Sequence, residues 1–256
     1  MKHAKVFLWS VVVALGGFLF GFDTAVISGA EKAIQQLWHL NVFEHGLTVS
    51  VALIGTVLGA LLGGIPSDKL GRKKTLFGIA VLYLLSSVGT ALAPDWYLFL
   101  LFRFMGGIGV GASSVTAPLY ISEIAPADSR GKLVAMFQFN VVFGILVAYL
   151  SNYLFGMAGG DPDANWRWML GVQAFPSLVF LVAVLLVPES PRWLITNKGE
   201  IEEAKAILQI ANPGKNVDSI VSDIILSAQS AGASTAKVPF FSRSYQTPIL
   251  LAVLIA

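Results

Sequence analysis

Two ionisable residues lie within long apolar runs. Asp23 falls in the first run, residues 6–27, and Arg103 in the fourth, residues 97–120. An ionised side chain at the centre of a bilayer costs about 3 kcal/mol on insertion scales, so each needs a reason to be there. At 1.5 Å per helical residue Asp23 lies about 26 Å beyond residue 6, and Arg103 about 9 Å past residue 97. If the first run crosses outward and the fourth inward, both groups fall in the outer half of the membrane and can meet. A lone buried carboxylate is neutralised, whereas one beside a guanidinium can ionise. Such a pair could open and re-form as a proton comes and goes. It could equally be a permanent salt bridge tying two helices together, and spacing alone does not choose.

Little else in the sequence could do chemistry. The 256 residues contain no cysteine, which excludes disulfides, thiolate metal sites and cysteine nucleophiles. The three histidines, His3, His39 and His45, fall outside the apolar runs, which excludes a histidine relay within the membrane. No nucleophile–base pair, metal cluster or phosphate loop is evident, so enzyme is the class with least support and no cofactor or metal is expected. A net charge of +2 gives no argument for a nucleic-acid partner.

The elements that position Asp23 and Arg103 follow from composition. The chain is 55% hydrophobic and 12% charged, with mean hydropathy +0.74. Soluble domains carry roughly 25% charged residues, so this is a membrane composition. A helix needs about 20 apolar residues to span the hydrocarbon. Six runs qualify: 6–27, 47–66, 76–93, 97–120, 134–155 and 168–187. Lipid offers the backbone no partner, so these runs must be helices packed as a bundle. The first is too long for the 7–15-residue core of a signal peptide, and it carries Asp23. A seventh run opens near Pro248 and reaches Ala256, too short to span.

Charge sets the orientation. Fourteen of the 17 Lys and Arg residues lie on the side that holds the N-terminus, the loops after spans two and four, and everything after span six. Positive loops stay inside, so both ends of the chain are expected to be cytoplasmic. Residues 1–195 are then a six-helix transmembrane bundle, 196–244 a cytoplasmic helical linker, and 245–256 the start of a seventh span. Within the linker, 199–211 and 217–228 have the apolar stripes of short amphipathic helices, followed by a Ser/Ala/Gly-rich tether at 227–236. They lie either under the bundle or on lipid headgroups.

The loop after span two reads Gly64-Ile-Pro-Ser-Asp68-Lys-Leu-Gly71-Arg72-Lys-Lys. Three consecutive cations suffice as orientation anchors, but the order Gly-x-x-x-Asp-Lys-x-Gly-Arg-Lys exceeds what anchoring requires. Span four carries Gly107, Gly109 and Gly111, and span two carries Gly55, Gly59, Gly63 and Gly64; small residues at such spacing let helix backbones approach closely.

These motifs resemble the sugar porter family of the major facilitator superfamily over essentially the whole chain. The loop is similar to the superfamily's Gly-x-x-x-Asp-Arg/Lys-x-Gly-Arg-Arg/Lys motif. More specific are Arg103 with its three glycines, then Pro118-x-Tyr120-x-x-Glu123-x-x-Pro126, Arg130-Gly131, and Pro188-Glu189-Ser190-Pro191-Arg192-Trp193-Leu194. The resemblance implies an all-α, twelve-span protein of two six-helix halves, binding a monosaccharide between them and working by alternating access. It implies that Phe20 and Gln138, with Val141 and Val142 one turn on, contact sugar. It implies that Asp23 carries the coupled proton beside Arg103, because uncoupled relatives typically have Asn there. Asp68, Arg72, Glu123, Arg130, Glu189 and Arg192, with Gly64 and Gly71 in the loop motif, are implied to form a cytoplasmic gate.

Partners on this reading are a hexose or pentose, a proton, the lipid bilayer of the cell membrane and a C-terminal six-helix half not encoded here. An uncoupled facilitator, a half-transporter dimer, a non-transporting sugar sensor and an inactive truncated product remain alternatives. Two departures stand out: Lys69 where Arg is commoner, and Phe22 where Tyr is frequent.

Overall fold

The computed structural model describes residues 2–157 and 162–233; the expected start of a seventh span and the end of the tether lie outside them. The described residues form an all-α bundle in which six segments are long and apolar enough to cross a membrane. Those segments are α1 (Lys2–Leu37), α2 (Val42–Leu62), α4 (Arg72–Leu92), α5 (Trp96–Ile124), α6 (Arg130–Met157) and the pair α7 (Pro162–Gly171) and α8 (Ala174–Leu185). Short α3 (Gly64–Leu70) joins α2 to α4. Beyond α8 come α9 (Pro191–Trp193), a π-helical turn (Leu194–Lys198), α10 (Ile201–Ala211) and α11 (Val217–Ala233).

Element boundaries depart from the apolar runs where local chemistry decides. The first span continues past residue 27 to Leu37, since polar residues beyond the hydrocarbon do not break a helix. It stops in a Schellman motif: His39 takes φ 50°, its N–H reaches the Gln36 carbonyl, and Leu40 N–H reaches Gln35. Asn41 and Glu44 then cap the start of α2 reciprocally, at 2.9 and 3.0 Å. The second span ends at Leu62 rather than residue 66, because Pro66 has no N–H to offer the Leu62 carbonyl. Pro176 does the same to Val172, and Phe175 N–H takes that carbonyl instead, breaking span six into α7 and α8. The stretch expected as a tether is helical to Ala233.

Glycines decide which helices touch. α1 packs most extensively on α6 and α2 on α5. Both pairs run parallel, as Gly17 meeting Phe137 and Gly29 meeting Asn152 show for the first. A Cβ on Gly21 would land on the Val141 carbonyl, and one on Gly144 on that of Phe18. In the second pair, Gly107 sits against the Ala52 carbonyl and Gly111 against that of Thr56. Without water to drive apolar association, such close van der Waals approach holds the helices together.

The linker is part of this unit. Ala204, Ile207, Leu208 and Ala211 of α10 and Val221 of α11 are buried in the main core cluster or against α1.

Replacing Gly111 by Leu should therefore lower the unfolding temperature in detergent by several degrees, an overpacking cost of about 1–3 kcal/mol. Gly46, where a Cβ meets nothing within 4 Å, should tolerate Ala or gain about 0.5–1 kcal/mol. Equal unfolding temperatures for the two variants would disprove the backbone-contact account.

Candidate functional site

α1 and α5 cross antiparallel, bringing Asp23 to Arg103 with each side chain 3% exposed. Arg103 Nη1 donates to Asp23 Oδ1 at 3.0 Å, and Nη2 donates to the Asp23 backbone carbonyl at 3.3 Å. Arg103 Nε has no partner among the described residues. The guanidinium therefore makes one carboxylate contact, not the two-bonded fork that arginine can form. Gly106, one turn along α5, leaves room for Ser86 and Asp23 to approach, and Gly16 does so for Ser113. Tyr83, fully buried, completes the pocket and donates to the Gly16 carbonyl at 3.4 Å. Ser86, Ser113 and Tyr83 were not singled out in the sequence. Serine and tyrosine at such spacing look like ordinary helix residues until the helices are assembled.

The expected sugar-contacting residues divide. α8 lies along one flank of the α1–α6 pair, lining a groove with Phe18, Asn140 and Phe143. Phe20 and Thr24 on α1, and Gln138 and Val142 on α6, fall on the opposite flank at 100° per residue. Gln138, Val142 and Thr24 are exposed and Phe20 is half-buried. Gln138 makes no hydrogen bond among the described residues, leaving its amide free on that open flank. Val141 is 8% exposed and packed over Gly21, so it belongs to the helix seam. Val142, at 59%, is the residue that shares the Gln138 face. The Asp23–Arg103 pair lies behind this flank, sealed between α1 and α5.

At the linker end a second buried pair is built differently. Arg72 forks onto Glu123, with Nε to Oε2 at 2.9 Å and Nη2 to Oε1 at 3.0 Å. Arg72 Nη1 reaches the Ser67 carbonyl at 3.1 Å and lies 3.3 Å from Asp68 Oδ1. Glu189 accepts from the backbone N–H groups of Arg72, Lys73 and Ser190 at 2.9, 3.1 and 2.8 Å. It thus caps the N-terminus of α4, where free amide donors and the helix dipole favour an anion. Gly71 takes φ 96°, and a Cβ there would strike the Glu189 carboxylate. Here glycine is required twice over.

Ser190, not expected from the sequence, donates to Glu123 at 2.6 Å and accepts from Trp193 N–H at 3.2 Å. Its signal was available: serine directly before proline is a helix cap followed by a favoured first residue. Tyr120 bonds the Pro188 carbonyl and Trp193 bonds that of Asp68, at 3.0 and 2.7 Å. Arg130 and Arg192 are exposed and line a cavity of about 680 Å³ beside Glu123, making no ion pair among the described residues. Gly64 opens α3 with nothing within 4 Å of a Cβ.

A family model described as "Sugar (and other) transporter" matches residues 9–256. This chain belongs to that family. Among its curated relatives, the putative metabolite transport protein YwtG of Bacillus subtilis is 45% identical over 87% of this chain and 47% of that protein. The glucose transport protein of Synechocystis is 47% identical over 79% and 45%. The D-xylose-proton symporter of Escherichia coli is 40% identical over 81% and 48%. The solved structure of the proton:xylose symporter XylE superposes with TM-score 0.88 at 34% identity, over 93% of this chain and 56% of that one. The chain thus spans about half the length of these relatives, and its fold is that of the N-terminal half of a major facilitator.

The Arg72–Glu123 fork gives a stability test. Arg72→Ala should cost about 3–5 kcal/mol by leaving Glu123 buried and unpaired. The double replacement of Arg72 and Glu123 by Met should cost less than the single one. Unfolding followed by tryptophan fluorescence reads both, and a double variant worse than the single would contradict the pairing.

Proposed function

We propose that this chain is the N-terminal half of a proton-coupled monosaccharide transporter of the cell membrane, one that works by alternating access. The observation that carries this reading is the sparsely bonded Asp23–Arg103 pair directly behind a flank that presents a free glutamine amide. An ion pair meant only to join helices gains from a full fork and satisfied donors, as Arg72–Glu123 displays. Asp23 has one side-chain bond to lose when it takes a proton, and Arg103 keeps its bond to the Asp23 backbone carbonyl meanwhile. Protonation can therefore loosen the contact between α1 and α5 without freeing the arginine.

Gln138 offers both a donor and an acceptor, which suits a polyol's hydroxyls, and Phe20 offers an aromatic surface beside it. Hexoses and pentoses share that chemistry. The relatives named for D-xylose and glucose transport support this class of cargo. The second wall of the sugar site belongs to a C-terminal six-helix half, the partner of this one. Both ends of this half lie in the cytoplasm, supported by the positive charge on that side, and the membrane is the plasma or inner membrane. On that placement the cluster of Asp68, Arg72, Glu123 and Glu189 anchors a cytoplasmic gate, with Arg130 and Arg192 free to meet the opposite half.

Uptake by the full gene product in energised vesicles tests the coupling. Asp23→Asn should abolish accumulation of labelled sugar against its gradient, while exchange across the membrane persists. Accumulation undiminished in that variant would rule out Asp23 as the coupling group and leave an uncoupled facilitator.

A further inference from the structure

A different surface of the bundle also has a defined chemistry. α2 and α4 both pack on α5 rather than on each other, leaving a trough of about 650 Å³ between them. Leu58 and Leu62 form one wall, Gly78 and Leu82 the other, and Ile108 lies on the floor. Gly78 is exposed, with nothing within 4 Å of where a Cβ would point, so the trough is smooth and open. Apart from Thr75, whose hydroxyl is taken up by the Gly71 carbonyl, the lining is apolar, with Lys74 towards one end. Lys74 and the nearby Lys69 make no hydrogen bond or ion pair among the described residues, unlike Lys73, which donates to the Leu185 carbonyl at 2.9 Å.

Position and dimension narrow the occupant. The trough follows the side of α5 that carries Phe104, Ile108 and Ala112, whereas Arg103 and Gly106 on the other side face α1. α2 separates it from the flank bearing Gln138, so it looks towards lipid. From Lys74 to Leu82 is about 12 Å of helix. One leaflet of hydrocarbon is about 15 Å deep. An acyl chain laid in the trough would put its headgroup beside Lys74.

We infer that this trough is a binding site for an anionic phospholipid, with one acyl chain between α2 and α4 and the phosphate on Lys74. Charge complementarity favours an anionic over a zwitterionic lipid, because a lysine near the surface attracts anionic headgroups.

Native mass spectrometry of the full gene product in detergent, with added phosphatidylglycerol or phosphatidylcholine of identical chains, tests the site. Phosphatidylglycerol should be retained preferentially. Lys74→Gln should weaken its retention about fivefold, while Lys132→Gln, an exposed cation elsewhere, leaves it unchanged. Gly78→Leu fills the trough and should reduce retention of both lipids, with its unfolding temperature showing that the fold is intact. The inference is overturned if the two lipids are retained equally, if Lys74→Gln matches Lys132→Gln, or if inorganic phosphate alone displaces the lipid. Retention of no lipid by the wild type, or a second copy in its place, would also overturn it.

Discussion

Hydrocarbon gives a charge or a polar group nothing to bond to, and that constraint organises this bundle. Every ionised side chain inside it must be answered by protein. Asp23 and Arg103 answer each other between α1 and α5. Arg72 and Glu123 answer each other between α4 and α5, and Glu189 answers the open N-terminus of α4 from 117 residues away. The two arginine pairs share residue chemistry and differ in saturation. Arg72 spends its donors on a forked carboxylate, a carbonyl and a second carboxylate, so nothing can leave without stranding a charge. Arg103 holds its carboxylate by one bond and keeps Nε without a partner among the described residues.

Those pairs can form only because backbones come close. The glycine contacts place α1 on α6 and α2 on α5, so the first span of each three-span set packs on the second of the other. The two sets therefore exchange places about an approximate two-fold axis, with opposite direction in the membrane. In such an arrangement the first spans, α1 and α5, cross antiparallel at the centre. Asp23 and Arg103 lie on those two helices because the centre is where they cross.

The membrane class, the six spans and the meeting of Asp23 with Arg103 were legible because each rests on a summed or sharply costly property. Hydropathy over twenty residues tolerates local exceptions, and a charge in lipid does not. Boundaries were less legible, since they depend on single residues: His39 in a left-handed turn, Pro66, Pro176. Rotational setting was hardest. Val141 and Val142 are adjacent in sequence, yet the turn between them puts one in the α1 seam and the other on the open flank. Choosing between them requires knowing that Gly21 faces Val141. Glu189 likewise reads as one charge in a loop motif until the fold brings it under α4.

The linker braces the bundle further. Glu189 lies between α8 and α9, yet its carboxylate ties that segment to α4, and Ser190 ties it to Glu123 on α5. Lys215 reaches Asp128 at 3.0 Å, joining the turn after α10 to the loop before α6. α10 buries its apolar stripe against the bundle instead of lying free. Spans three and four are thus tied by charged bonds to the segment after span six, and the loop before span five to the turn after α10. Glycine contacts join span one to five and span two to four along their length. Under the proposed function, a body tied in this way would move as a unit, and large rearrangement would fall at its boundary with the second half. Of its two buried arginine–carboxylate pairs, the one held by fewer side-chain bonds is Asp23–Arg103. On the proposed reading, a proton arriving there needs to change only how α1 leans on α5, and the rest of the bundle would carry that change outward.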